Sequence, residues 1–392
     1  MEHPSEVVII GAGAAGLAAA LFAARAGARP TVLEATPDGG RKILVSGGGR
    51  CNVLPSALAP ERFVTSGSPN TLRKILNSWP LAEQRAFFEH DLGIPLALEA
   101  ESGKLFPASN RARDIRDGLV AAARRSGADL RCGVKVESLS PLEPSRDTSA
   151  RWRIGLLGGS TLDATNVVLA TGGLSLPGTG SDGRGFDFAQ ALGLETLPLY
   201  PALTPLTAEP PPHASLAGLS LNVEIFAPRE RRKAQGGFLF THRGYSGPAV
   251  LDISDVAVRS RLFGEKRASL KVRWCAADAT TWEQALLSNK GALARRLGER
   301  LPDRLVDVLL DEAGIARDQK LERLEREKRK KLIELLTAYE LPWTGDEGYR
   351  KAEVTGGGVA LSEIDPKTMQ CRKLPGLFLC GEILDAWGPI GG

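Results

Sequence analysis

The chain has 392 residues, 43% of them hydrophobic and 24% charged, with a net charge of +4. That length accommodates two or three domains with a sizeable core, and the composition excludes disordered, fibrous and small disulfide-stapled classes. Its 50 basic residues stand against 46 acidic ones, a balance that permits a nucleic-acid partner without announcing one.

In chain order, Glu6 to Ile10 is a β-branched apolar run that reads as a buried strand. LAAALFAARAG reads as a helix closed by Gly27, and Pro30 to Leu33 as a second strand ending at Glu34, completing a βαβ unit. The uncharged stretch Val7 to Ala24 is long enough to span a membrane, but closely spaced glycines break it and MEHPSE lacks the positive segment of a signal peptide. No membrane segment is expected.

Helices are expected at Thr71 to Trp79, Leu81 to Asp91 and Ala112 to Ser126, with a hairpin around Glu101-Ser102-Gly103-Lys104. Strands follow at Asp129 to Cys132, Val134 to Leu139, Trp152 to Leu157 and Asn166 to Ala170. From about Leu197 the texture becomes proline-rich and strand-like, notably at Leu219 to Phe226, Gly237 to Thr241 and Ala268 to Trp274. Residues 281–340 read as helices, of which KLERLEREKRKKLIELL reads as a solvated face laced with i,i+4 pairs rather than an RNA-binding stripe. After Trp343 the strand-and-glycine pattern returns. The expected fold is α/β: a Rossmann-like domain like half of glutathione reductase, built from 1–195 and 345–392, with an inserted β domain at 196–280 and a helical subdomain at 281–344.

Glycine is the compositional outlier, with 44 residues gathered in GAGAAG, DGG, SGGGR, TGG, GTGSDGRG, TGGGV and GPIGG. Clustering of this kind marks places where backbone approaches something closely. Gly11-Ala12-Gly13-Ala14-Ala15-Gly16 lies between the first strand and helix: Gly11 makes the tight turn, Gly13 admits a pyrophosphate, Gly16 allows close helix–strand packing, and Glu34 accepts ribose hydroxyls. An acid at the ribose position disfavours a 2′-phosphate, which leaves FAD or NAD.

Two later segments decide between them. Val167 to Gly173, containing Ala170, Thr171 and Gly172, and Leu377 to Glu382, containing Gly381, resemble the later nucleotide-binding segments of FAD-binding Rossmann flavoproteins. With no second GxGxxG, the expectation is a tightly bound, non-covalent FAD and a transiently docking NAD(P)H.

The runs GRKILVSGGGRCN, GKLFPASNRARDI, LPGTGSDGRGFDFAQALG, GFLFTHRGYSGPAVLDIS, KAEVTGGGVALSEIDPKTMQ and GLFLCGEILDAWGPIGG occur in order over nearly the whole chain. In this the sequence resembles the bacterial conserved flavoproteins labelled NAD(P)/FAD-dependent oxidoreductase or aminoacetone oxidase family. The resemblance implies a discontinuous FAD domain, an inserted β domain and a helical domain. It also implies flavin oxidoreductase activity: reduction of a conjugated C=C, in a uridine of large-subunit ribosomal RNA or in a steroid-like enone, or alternatively amine oxidation. Cofactor contacts implied by it extend to Ala35, Val134, Asp385, Pro389, Ile390 and Gly391, the last at the start of a helix facing the flavin pyrimidine ring. A non-catalytic flavin- or RNA-binding protein is a further alternative.

Arg41 and Lys42 are read as offsetting pyrophosphate charge, or else as a solvated basic pair. Gly47, Gly48 and Gly49 are expected to run along the flavin, flanked by Arg50 and Asn52 as flavin or substrate contacts. Reducing a conjugated C=C needs a hydride at one carbon and a proton at its neighbour, and Cys51, with Arg50 to tune it, is the first candidate acid. The alternative for Cys51 is an inert buried thiol. His242 is the second candidate, otherwise a hydrogen-bonded structural histidine, and Tyr245 is a third. Arg111, Arg113 and Arg116, with Arg229, Arg231, Arg232 and Lys233, are read as a possible grip on RNA phosphates or as solubility features. His3, His90, His213 and His242 make no metal-ligand spacing with Cys51, Cys132, Cys275, Cys371 or Cys380, so no metal is expected. Five cysteines without a CxxC pair fit a reducing cytoplasmic compartment.

Overall fold

A computed structural model describes residues 5–144, 148–264, 266–287 and 291–390. The expected contributions of His3, Gly391 and Gly392 lie outside the described residues. The chain divides into two compact units, Met1–Leu199 with Val354–Gly392, and Tyr200–Glu353. The described boundaries thus fall at 199/200 and 353/354.

The first unit is built on the βαβ start. Strand β1 (Ser5–Ile10) leads through Gly11 to Gly13 into helix α1 (Ala14–Arg25) and back to β2 (Pro30–Glu34), after which comes the short helix α2 (Arg41–Val45). β1 pairs in parallel with β2 on one side and with the long strand Thr161–Leu169 on the other. The apolar stretch Val7 to Ala24 is therefore a buried strand end, a glycine turn and most of a helix. No helix among the described residues is long and apolar enough to cross a membrane.

Beyond α2, β3 (Leu54–Pro55), β4 (Leu96–Glu99) and β5 (Lys104–Pro107) form a small antiparallel sheet, with the expected hairpin between the last two. The expected helix at 112–126 is Ala112–Arg125, whose buried Ile115 and Leu119 pack in one core with Leu17, Ala20 and Leu21 of α1. Leu81 to Asp91 differs from a plain helix: Leu81–Ala86 is α-helical and Phe87–Asp91 widens to a π turn. Such a bulge accommodates the crowded rings of Trp79, Phe87 and Phe88, with centroids 5.5 Å and 5.2 Å apart in successive pairs.

The main sheet runs β6 (Asp129–Cys132), β2, β1, β9 (Thr161–Leu169), β8 (Trp152–Leu156), β7 (Val136–Pro141). On its side away from β1, β9 has two partners along its length: Thr161 to Ala164 pairs antiparallel with β8, and Val167 to Leu169 pairs in parallel with the strand Leu377–Leu379. The returning end of the chain thereby completes the same sheet. Every parallel strand there ends at the same edge, where the glycine turns gather.

The second unit carries an antiparallel sheet ordered Tyr339–Glu340, Lys271–Arg273, Ser220–Ala227, Arg232–Thr241, Gly244–Ser246, Leu206–Thr207, Gly345–Asp346. Helix Pro248–Phe263 contributes Ala249, Val250, Ile253 and Ala257 to its core. The segments expected as separate β and helical parts share one hydrophobic cluster: Ile225, Phe238 and Trp274 of the sheet lie in it with Trp282, Leu297, Leu309 and Leu332 of the helices. The charged helix Arg326–Thr337 buries Leu332, Ile333 and Leu336, while Arg329 pairs with Glu283 at 3.1 Å and Lys330 with Glu327 at 3.4 Å. A solvated, salt-bridged face is what these contacts describe.

Candidate FAD site

The turn that opens α1 is shaped by glycine. Gly11 has φ +103, and a Cβ there would lie 2.5 Å from the Ala170 carbonyl oxygen; a Cβ on Gly16 would collide with the Gly11 carbonyl. At Gly13 a Cβ would meet no atom within 4 Å, so this backbone faces open space. The first turn of α1 has no side-chain cap, and its first backbone bond runs from Leu17 N–H to Gly13 O at 2.9 Å. Free N–H groups at a helix start form an anion site.

Those groups open onto a cavity of about 390 Å³ in the first unit. Gly11, Gly13, Ala14 and Ala15 line it, with Glu34, Arg41, Lys42, Cys51 and Asn52. Ala170, Thr171, Gly172, Gly381 and Glu382 complete the polar wall. Ala12 and Gly16 build the turn rather than the wall. A second, smaller cavity of about 70 Å³ is lined by Ala35 and Val134 and shares Gly11, Glu34, Thr171 and Gly180 with the first.

Glu34 is held rigidly at the end of β2. Its Oε2 accepts from Ala12 N–H at 2.8 Å, and its Oε1 accepts from Thr36 N–H at 2.8 Å and Thr36 Oγ1 at 2.6 Å. The carboxylate keeps lone pairs for hydroxyl donors. Two further polar atoms of the wall, Asn52 Oδ1 and Thr171 Oγ1, are buried without a partner. Unpaired buried polar atoms, an uncapped helix start and an oriented acid on one cavity wall fit a dinucleotide.

Of the residues expected at the cofactor, some line the cavity while engaged with protein partners, and others stand off it. Lys42 does not stand free for phosphate: its Nζ donates to Glu382 Oε2 and to Ser175 Oγ, each at 2.8 Å. Arg41 Nε pairs with Asp38 at 3.0 Å. Gly47, Gly48 and Gly49 do not line the cavity; they form a tight left-handed turn, and a Cβ at Gly47 would press on Asn52 N at 2.9 Å. Arg50 leaves the cavity to pair with Glu99 at 2.9 Å, so it does not tune Cys51. Asp385 is buried and accepts from Ser66 N–H at 2.7 Å and Thr65 Oγ1 at 3.1 Å, a structural brace of the 65–66 loop. Pro389 and Ile390 line neither cavity.

Cys51 is 6% exposed, yet it lines the main cavity. Burial pushes its thiol above the ordinary value, partly offset by a hydrogen bond with the Ser46 side chain. Desolvation pushes Cys380 up to about 12. His242 is exposed in the turn after Arg232–Thr241, in the second unit. Tyr245 is fully buried there, its hydroxyl 2.9 Å from His213 Nδ1. His213 Nε2 lies 3.0 Å from Tyr339 Oη, which donates to Glu312 Oε1 at 2.9 Å. Burial, with the Glu312 charge, raises both phenols far above their ordinary value, and this closed network reads as structural. Among the basic residues considered for RNA, Arg116 pairs with Asp38 at 3.3 Å, Arg232 with Asp255 at 3.2 Å and Lys233 with Glu224.

Residues that the sequence did not flag include Thr36, Gly180 and Ser181, and the apolar wall of Ile43, Val53, Phe88, Ile115 and Leu119. Gly180 and Ser181 belong to a glycine cluster visible in the sequence; the apolar ones have the same pattern as any core residue.

Residues 5–392 match the family described as HI0933-like protein Rossmann domain. The chain is 33% identical over 399 aligned positions to the ribosomal RNA dihydrouridine synthase of Escherichia coli (strain K12), covering 99% of this chain and 93% of that one. It is 32% identical to the protein of the same name from Haemophilus influenzae (strain ATCC 51907 / DSM 11121 / KW20 / Rd), covering 100% and 95%. It is 28% identical to the 3-dehydro-bile acid delta(4,6)-reductase of Clostridium scindens (strain ATCC 35704 / DSM 5676 / VPI 13733 / 19), covering 99% and 95%. The match from the first strand to the end of the chain, on a cavity built for a dinucleotide, places this protein in the HI0933-like Rossmann family of FAD-dependent oxidoreductases.

Proposed function

We propose that this chain reduces the C5=C6 bond of a uridine in large-subunit ribosomal RNA to dihydrouridine, in the cytoplasm and at the expense of NAD(P)H. The observation that carries the reading is near-full-length similarity, at 33% and 32% identity, to two proteins named ribosomal RNA dihydrouridine synthase. Bound FAD would supply the hydride chemistry linking NAD(P)H to the substrate ring. The N–H groups of Ala14 and Ala15, the Glu34 carboxylate, and the Asn52 and Thr171 side chains would hold the cofactor.

Hydride addition at C6, conjugated with the C4 carbonyl, requires a proton at C5. We assign that proton to Cys51, whose thiol faces the cavity and stays protonated at neutral pH because burial disfavours the thiolate. The thiolate left after transfer regains its proton from solvent.

Deletion of the gene is expected to remove one dihydrouridine from large-subunit RNA; unchanged RNA would reject the substrate assignment. The bile acid reductase relative favours one second reading, reduction of a small-molecule enone by the same chemistry. Anaerobic flavin bleaching by NAD(P)H supports either reductase, whereas bleaching only by a primary amine would indicate an oxidase.

A further inference from the structure

Arg50 and Cys51 are adjacent in sequence and diverge in space: Cys51 lines the main cavity and Arg50 does not. The Arg50 guanidinium lies 4.2 Å from the centroid of the Phe106 ring and donates from Nη1 to Glu99 Oε1 at 2.9 Å. Glu99 is itself braced, because Ser102 Oγ donates to its Oε2 at 2.6 Å, and these bonds hold its carboxyl below the usual range. Glu99 and Phe106 sit on the β4–β5 hairpin, and Val53 N–H donates to Leu105 O of that hairpin at 2.9 Å.

Cys51 stands between these two attachments with φ +59, a left-handed backbone that residues bearing a Cβ adopt only when their surroundings impose it. Gly47, Gly48 and Gly49 just before it all have positive φ and bring no stiffness of their own. Within the turn Cys51 N–H donates to Ser46 O at 3.0 Å, and the attachment that ties this turn to the rest of the unit comes through its flanking residues, Arg50 and Val53. Phe106 is buried, so it offers a fixed surface on which the planar guanidinium stacks, while the ion pair at its edge with Glu99 is half-exposed.

We propose that Arg50 is the positioning residue of Cys51: clamped to the β4–β5 hairpin through Phe106 and Glu99, it fixes the left-handed turn that presents the thiol to the cavity. The catalytic part of this inference rests on Cys51 being the proton donor; the positional part does not.

The test uses the FAD-loaded protein and an Arg50→Ala variant. FAD content is expected to match wild type, and alkylation of Cys51 by iodoacetamide, followed on its own peptide by mass spectrometry, to rise about tenfold as the turn opens. Uridine reduction is expected to lose about 10- to 100-fold in kcat with KM within about twofold. The double variant Arg50→Ala/Cys51→Ala is expected to be no slower than Cys51→Ala alone, since a residue acting only through another adds nothing once that other is gone. Unchanged alkylation, loss of FAD, a raised KM with intact kcat, or fully additive losses would each overturn the proposal. If Cys51→Ala alone turns over normally, the acid assignment fails, and the alkylation measurement still decides whether Arg50 positions the residue.

Discussion

Lys42 Nζ lies 2.8 Å from Glu382 Oε2, joining residues 340 positions apart at the wall of the main cavity. The pair is one edge of a closed network. Ser175 Oγ donates to Glu382 Oε1 at 2.7 Å, Thr355 N–H donates to the same oxygen at 2.9 Å, and Thr355 Oγ1 accepts from Leu174 N–H at 2.7 Å. Helix α2, the turn after β9 and the returning end of the chain are thus tied together where the cofactor has to be held. Partial burial makes such a network costly to leave half satisfied.

Glu382→Gln keeps the shape of that side chain and removes its charge, leaving the Lys42 ammonium unpaired at the cavity wall. A loss of about 1.5–3 kcal/mol in folding free energy follows from the value of hydrogen bonds to charged groups. Urea denaturation of the FAD-free protein checks this, and an FAD titration should show weaker binding as well. Wild-type stability together with wild-type affinity would show that the network is ornamental.

The glycines of GAGAAG separate into two kinds. Gly16→Ala places a Cβ against the Gly11 carbonyl and should prevent stable folding of the first unit, whereas Gly13→Ala meets no protein atom. Gly13→Ala is therefore expected to keep apo stability within about 0.5 kcal/mol, as a change free of buried contacts does, while losing FAD because the pyrophosphate needs that space. Denaturation and flavin absorbance after reconstitution separate the two effects.

Cys51 makes a prediction in pH. A group whose neutral form is favoured by burial stays protonated until pH exceeds its raised value, so a thiol proton donor works through the neutral range and fails on the alkaline side. The rate of substrate reduction should be level up to the ordinary thiol value of about 8.5 and fall only above it. Cys51→Ala should lower the rate about 10²- to 10⁴-fold, the usual contribution of a general acid, and remove the alkaline limb. Flavin reduction by NAD(P)H should be unaltered in the same variant.

Much of the scaffold was legible because its signals are local. A strand, a glycine turn, a helix and a second strand ending in Glu34 follow one another within the first residues, and each glycine there answers a steric demand of its immediate neighbours. The apolar runs at Asn166 to Ala170 and Leu377 to Leu379 likewise read as strands. What stayed hidden depends on partners far along the chain. Nothing near Lys42 announces Glu382, and Arg50 finds its partner 49 positions away, on a hairpin. A run such as Gly47 to Gly49 signals close approach without saying to what: Gly47 approaches Asn52 and Phe106, whereas Gly48 faces open space. Phe88, Ile115 and Leu119 wall a cavity with the same periodicity that would bury them in a core.

Tyr245 illustrates the same limit in the second unit. Its position in FTHRGYSGP suggested chemistry, and the structure gives it a bond to buried His213 instead. Tyr245→Phe should cost about 0.5–1.5 kcal/mol of stability, the usual net value of one hydrogen bond, with kcat preserved. Comparing urea midpoints with turnover tests it, and a large drop in kcat at unchanged stability would return Tyr245 to the list of candidate acids.

The central claim is that this FAD-dependent oxidoreductase reduces a uridine of ribosomal RNA. It is tested most directly by incubating the FAD-loaded protein and NADPH with large-subunit RNA from a strain lacking the gene, then mapping nucleoside masses. The account predicts that one uridine gains two hydrogens, that the gain requires both FAD and NADPH, and that Cys51→Ala slows it. RNA that stays unmodified while the same enzyme consumes NADPH with a small enone would contradict it.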